Sequence, residues 1–268
     1  MDESFIDYCQ NGNLEMCKKI YEKTNFDINK NLNYFFKVAC SNGHLNLAQW
    51  LLTLNINSDI HYNKNLFFKL ACSNGHLHIV KWLYSLNNTI NIYDDNNYAI
   101  RMACINGHFD VAKWLYYIVK SSYSISGKPL IHENFNDTFL NVILNGHINI
   151  AKWLYTTNIN SYIDYNNCFV CACREGHINI AKWLYSINEN IDIRIYNDTC
   201  FKSACYYNYI EIMIWLTNLC SDYKLEARNK DSTYNSVYQI KSWKIIDSQS
   251  NDKEIKINYN EDDNIVYI

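Results

Sequence analysis

The sequence predicts an all-α solenoid of about seven stacked helix–turn–helix repeats, on three observations. A glycine recurs at Gly12, Gly43, Gly75, Gly107, Gly146 and Gly176, with Asn208 in the same slot of a last copy, at intervals of 31, 32, 32, 39, 30 and 32 residues. A tryptophan follows seven residues after that slot at Trp50, Trp82, Trp114, Trp153, Trp183 and Trp215. Apolar residues with helical spacing flank the slot on both sides. A fixed period of this length marks one supersecondary unit repeated, each too small to bury its own apolar face and therefore stacked on the next.

Each copy opens ten residues before the slot with Asp2, Asn33, Asn65, Asn97, Asn136, Asn166 or Asp198. These residue types accept bonds from the free N–H groups of a helix start, so they are read as N-caps. Seven, four and three residues before the slot stand Phe36, Ala39 and Cys40, then Phe68, Ala71 and Cys72, and equivalents in later copies. One large and two small apolar residues on one face describe a short inner helix that a neighbour can approach closely. Glycine then supplies the left-handed conformation that ends the helix. A second apolar run, His-Leu-Asn-Leu-Ala-Gln-Trp-Leu from His44 and His-Ile-Asn-Ile-Ala-Lys-Trp-Leu from His147 and His177, predicts an antiparallel outer helix. The segments between, such as Asn91-Ile92-Tyr93-Asp94-Asp95, read as extended loops or hairpin fingers.

The array is expected over residues 1–229, with repeats at 2–32, 33–64, 65–96, 97–135, 136–165, 166–197 and 198–229. The terminal copies depart from the pattern, with Lys19 in the tryptophan slot of the first and Asn208-Tyr209 replacing Gly-His in the last, as solenoid ends do. The long interval places an insertion within 116–135, which holds Gly127 and Pro129. Residues 230–268 form a tail or cap, partly strand or disordered. Its alternating runs Glu254-Ile255-Lys256-Ile257 and Ile265-Val266-Tyr267-Ile268 are a candidate strand pair.

Composition narrows the class. Seven glycines and one proline exclude collagen-like and linker-like chains, and 49% hydrophobic residues support burial along most of the length. A net charge of −3 offers no field for a polyanion, so nucleic acid is not an expected partner. No apolar stretch approaches the roughly 20 residues that span a bilayer, and the opening MDESFIDYCQ lacks a basic region leading into an apolar run. The expectation is a monomer in the cytoplasm, neither secreted nor membrane-bound. Eleven cysteines, most at one repeat position, read as reduced thiols serving as small core residues.

The core A-C-x-x-G-H-x-x-[ILV]-[AV]-K-W-L resembles the ankyrin repeat, and its Trp-Leu-Tyr, Asn-rich form resembles ankyrin-repeat proteins encoded by giant DNA viruses. Where that family has Thr-Pro-Leu-His, this chain has Asn33-Tyr34-Phe35-Phe36 and Asp198-Thr199-Cys200-Phe201, which removes the Thr–His bonds that brace the family's turns. The resemblance implies a non-enzymatic protein–protein interaction scaffold, binding an unknown protein, a host protein if the chain is viral, through the concave face and fingers. An alternative is a viral adaptor that recruits targets to a host ubiquitin ligase, but the Leu-Pro dipeptide that opens the usual F-box-like segment is absent.

A hydrolytic or metal-dependent enzyme is the remaining alternative. The pairs Cys40/His44, Cys72/His76, Cys104/His108 and Cys173/His177 give two donors per repeat, whereas a structural zinc site takes four at about 2.0–2.3 Å. Repeats stacked roughly 8–10 Å apart cannot bring four together, so each Cys is read as core and each His as a turn residue bonding backbone. Five of eight histidines share one slot, which argues against a catalytic dyad, and no phosphate-cradling glycine loop exists. No catalytic, metal or cofactor site is expected.

Three surface features stand out. Lys81, Lys113, Lys152 and Lys182, beside the outer-helix tryptophans, read as a solvated face. The insertion, polar through Ser121, Ser122, Ser124 and Ser126, reads as a lengthened finger. The candidate partner-binding residues are Phe35, Val38, Phe67, Leu70 and Met102, at eight and five before the glycine. This pair, which includes Ala99, turns small or polar in later copies, as Thr138/Asn141 and Cys200/Ser203, while the core set stays nearly constant. That change of character predicts an apolar stripe over the N-terminal half of the array.

Overall fold

The computed structural model describes residues 3–23, 28–54, 64–86, 90–122, 135–157 and 163–220, and strands at 223–226, 242–245, 254–255, 258–259 and 266–267. The helices pair around each slot: α1 Glu3–Gln10 with α2 Leu14–Lys23, α3 Leu32–Ser41 with α4 Leu45–Thr53, α5 Lys64–Ser73 with α6 Leu77–Leu86, and α7 Asp94–Ile105 with α8 Phe109–Ser122. Then follow α9 Phe135–Leu144 with α10 Ile148–Thr156, α11 Tyr165–Arg174 with α12 Ile178–Ile187, and α13 Ile195–Tyr206 with α14 Ile210–Leu219. Two compact units divide the chain, Met1–Tyr162 and Ile163–Ile268. In the first, the inner helices α1, α3, α5, α7 and α9 stack in succession, and in the second α11 stacks on α13.

Burial follows the periodicity. Phe36, Ala39 and Cys40 are buried, as are Phe139, Val142 and Ile143 and the same trio elsewhere, together with Leu47, Ala48 and Leu51 and their outer-helix equivalents. The tryptophans sit partly exposed at the seams between outer helices. Four of them take the edge of a tyrosine two residues past the preceding copy's tryptophan slot: Tyr21 on Trp50 at 5.8 Å, Tyr84 on Trp114 at 5.4 Å, Tyr116 on Trp153 at 5.3 Å and Tyr185 on Trp215 at 5.8 Å. Edge-on aromatic pairs add about 0.5–1.5 kcal/mol beyond area burial. Leu52 breaks the series, and Trp82 leans on Phe36 at 6.2 Å instead.

Glycine is needed at the turns for two reasons, and Gly43 shows both. Its φ is +83°, and a Cβ there would stand 2.7 Å from Nδ1 of His76 in the next repeat. Gly176 faces Tyr209 in the same way, at 2.8 Å. The residues around these turns close the preceding inner helix. Nε2 of His44 donates to the carbonyl of Gln10 at 2.8 Å and Nε2 of His76 to that of Ser41 at 2.8 Å. Asn42 joins His44 on Gln10 at 3.2 Å, while Asn106 donates to Ser73 at 2.7 Å and Asn145 to Ile105 at 2.9 Å. Gln10, Ser41, Ser73 and Ile105 are the last residues of α1, α3, α5 and α7, whose carbonyls have no partner within their own helix.

The N-cap assignments are corrected. The residue ahead of α3 is Asn31, not Asn33; Asn65, Asn136 and Asn166 are each second in their helix; and α11 is capped by Asp164, whose Oδ1 accepts from Asn167 N at 3.0 Å. Asp2 lies outside the described residues. Asn65 and Asn166 turn toward the next copy, where Oδ1 accepts the backbone N–H of Asn91 at 3.2 Å and of Asp192 at 2.9 Å, both 26 residues on. The side chain therefore joins repeats rather than starting a helix, and it braces the finger where the Thr-Pro-Leu-His motif is missing.

Asn97 and Asp198 differ again, because α7 and α13 open with a single left-handed turn. Asp95, Asn96 and Asn97 have φ of 55°, 53° and 63°, and Tyr196, Asn197 and Asp198 have 53°, 59° and 62°. Backbone bonds from Asn97 N to Tyr93 O at 3.3 Å and from Asp198 N to Arg194 O at 3.0 Å close the turns. Asn and Asp tolerate this region, but Tyr196, 63% exposed, gains no contact that requires an aromatic there. Tyr196→Gly should raise stability by about 0.5–1 kcal/mol, the left-handed penalty exceeding glycine's unfolded-state entropy. A urea titration followed by circular dichroism reads it, and a lowered midpoint would contradict this account.

Part of the insertion lies in a helix: residues 116–122 continue α8, with Val119 buried. Gly127, Pro129, Ser124 and Ser126 lie outside the described residues. After α14, β1 Tyr223–Glu226, within the bounds expected for the last repeat, joins β2 Ser242–Ile245 and β3 Glu254–Ile255 of the tail in an antiparallel sheet, and β4 Asn258–Tyr259 pairs with β5 Val266–Tyr267. Both alternating runs do hold strands, but not with each other: Ile255 lies opposite Trp243, and Val266 opposite Tyr259. Period-two alternation identifies a strand and leaves its partner open.

Candidate interaction surface

The predicted stripe divides in two. Phe35, Phe67 and Ala99 are 0%, 1% and 2% exposed and belong to the core, so Phe35 and Phe67 are withdrawn as docking residues. Phe35 meets Phe5 edge-on at 4.8 Å and Phe67 meets Phe36 at 4.9 Å, each joining consecutive inner helices. Val38, Leu70 and Met102 are half-buried at the surface. The physical reason is angular. Positions three apart on an α-helix differ by about 60°, which carries the first of each pair into the inter-repeat contact and leaves the second at its rim.

Two rows adjoining Val38, Leu70 and Met102 complete the outward face of α3, α5 and α7. Nine residues before the glycine stand Tyr34, 41% exposed, Leu66, 47% exposed, and Tyr98. Six before it stand Lys37, Lys69 and Arg101. The rows fall within about 100° of arc. Sequence reasoning missed them although they align in register, because only the core-like positions were compared.

The cations are placed differently. Lys69 Nζ lies 2.9 Å from Asp94 Oδ2 and 3.5 Å from Asp95 Oδ2, and 5.4 Å from the Tyr98 ring centroid. Partial burial pulls its pKa down, and the two carboxylates outweigh this and hold it above the usual lysine value. Arg101 donates through Nε to Asn96 O at 2.9 Å and through Nη2 to Asp95 O at 3.4 Å, capping the left-handed turn. Lys37 is exposed. On the outer helices Lys81, Lys152 and Lys182 are exposed, whereas Lys113 is half-buried with Nζ 4.1 Å from the Phe109 ring centroid.

The Cys/His slots are occupied structurally. Burial pushes the thiols of Cys40, Cys104 and Cys168 up to about 12, far from thiolate character at neutral pH. His76 is held below the usual histidine value, by burial first and against the bond to Ser41. Its Nε2 is committed to that carbonyl. Among the described residues no group of three or more His, Cys, Asp or Glu is placed to hold a metal ion, and no helix is long and apolar enough to cross a membrane.

Stacked helix pairs, joined in five of the seven copies by a Gly–His turn and presenting one helix face to solvent, define a helical-repeat protein. The family model for ankyrin repeats (3 copies) matches residues 5–94, 36–126, 67–166 and 139–229, and the chain belongs to that family. Ankyrin repeats are in general protein–protein interaction modules. The crystal structure of the human ASB11 ankyrin repeat domain is similar, at 18% identity over 72% of this chain and 86% of that one, with a TM-score of 0.47. No curated protein matches the sequence.

Proposed function

We propose that the chain is a non-enzymatic, monomeric interaction scaffold that binds a protein partner through the outward face of α3, α5 and α7. The observation that carries this reading is the half-buried row Val38, Leu70 and Met102 flanked by exposed Tyr34 and Leu66, apolar surface gathered on one face of three consecutive repeats. The equivalent of this row is Asn141 in the fifth copy and Ser203 in the seventh. Free cysteines support a reducing, cytoplasmic setting. Residues 1–229 act as the array and 230–268 as a C-terminal cap, whose strand β2 pairs with β1, the strand that follows α14.

Leu70→Asp tests the reading. At a half-exposed site the charge should change stability by less than about 1 kcal/mol, while capture of the partner from the cell that makes the protein falls about tenfold or more, as for an interface anchor. Capture and mass spectrometry beside the parent protein read the loss. An unchanged set of captured proteins would sink the assignment of this face.

A further inference from the structure

We propose that the face on α3, α5 and α7 takes an acidic segment of another protein, with Lys37 receiving one of its carboxylates. The inference rests on the interaction reading above. In the row six residues before the glycine, Lys37, Lys69 and Arg101 lie beside the apolar row of three consecutive copies and give way to Leu140 and Val170 in the next two, a cation returning only as Lys202 beside Ser203 in the last. In a chain of net charge −3 this local basic row is not inherited from overall composition.

Lys69 shows what the slot accepts. The following finger delivers the carboxylates of Asp94 and Asp95 to its ammonium at 2.9 and 3.5 Å, with Asp95 26 residues on. The same register from Lys37 falls on Tyr62 and Asn63, neither of which carries a carboxylate. Lys37 thus offers to solvent a position that the chain itself fills one repeat later. Tyr34 and Val38 share its face of α3, and exposed Leu66 holds the Tyr34 position on α5, so the occupant needs acidic and apolar side chains together. A nucleic acid fits poorly, because one exposed lysine beside two engaged cations does not track a phosphate backbone.

Fluorescence anisotropy with the full chain tests this, using a labelled synthetic peptide of four Asp-Leu-Glu triplets. Controls are the same peptide with Lys at every acidic position and a single-stranded oligodeoxynucleotide. Saturable binding of the acidic probe is expected, weakening several-fold between about 50 and about 200 mM salt. Lys37→Glu should weaken it roughly tenfold through lost attraction and added repulsion, and Lys182→Glu on α12 should leave it unchanged, both variants remaining folded by circular dichroism. Equal binding of either control, no saturable binding of the acidic probe, or an unaffected Lys37→Glu variant would overturn the proposal. If Leu70→Asp abolishes partner capture while Lys37→Glu does not, the scaffold reading stands and the acidic partner falls.

Discussion

Gly43→Ala should cost the first unit roughly 3 kcal/mol, more than a typical surface substitution by several-fold. An alanine at φ +83° carries about 1–2 kcal/mol of left-handed strain. Its Cβ would also stand 2.7 Å from His76 Nδ1, and the contact is to a ring already fixed by the 2.8 Å bond to Ser41. Moving the ring to relieve the overlap gives up that bond, worth about 1 kcal/mol, and leaves the last carbonyl of α3 without this donor. Urea unfolding read by helical circular dichroism measures the loss. A cost below about 0.5 kcal/mol would mean that the turn relaxes freely and that the close approach of His76 is incidental.

The second large effect is expected from Phe36→Ala, at about 3–5 kcal/mol for a buried phenylalanine. Phe36 is 1% exposed and belongs to α3, yet its ring lies edge-on to Phe67 of α5 at 4.9 Å and 6.2 Å from Trp82 of α6. The cavity would therefore open between the second and third repeats rather than inside one. Because a repeat array is held by nearest-neighbour interfaces, the transition should broaden, with amides of α1–α4 losing hydrogen-exchange protection before those of α5–α8. A single sharp transition with uniform loss of protection would refute that localisation.

The helix pairs and most of the core were legible because the signal repeats: one residue in one slot six times over identifies a turn that no single copy would. The large and small apolar positions followed from helical spacing alone. What remained hidden depends on the neighbour rather than on the repeat itself. Asn65 and Asn166 carry the side chain of a helix cap, and only the position of the next finger decides that they bond Asn91 and Asp192 instead. Phe35 and Val38 are both apolar and share a helix face, and the packing of α1 on α3 determines which is core. The aromatic seam was visible in the Trp-Leu-Tyr triplets, but the tyrosine's partner lies about thirty residues away in sequence. Left-handed Tyr196 had no signal at all, since tyrosine is the wrong residue for that conformation.

The backward direction of the turn bonds bears on how the chain is made. Every donor described, from His44 to Asn145, reaches the end of the preceding inner helix and never the following one. A nascent chain leaving the ribosome therefore exposes Gln10 before His44, 34 residues later, can close it. At about 5–20 residues per second this is a wait of roughly 2–7 s. Each newly emerged copy locks the one before it, so synthesis proceeds like a zip fastened from behind, with only the most recent unit left open at any moment.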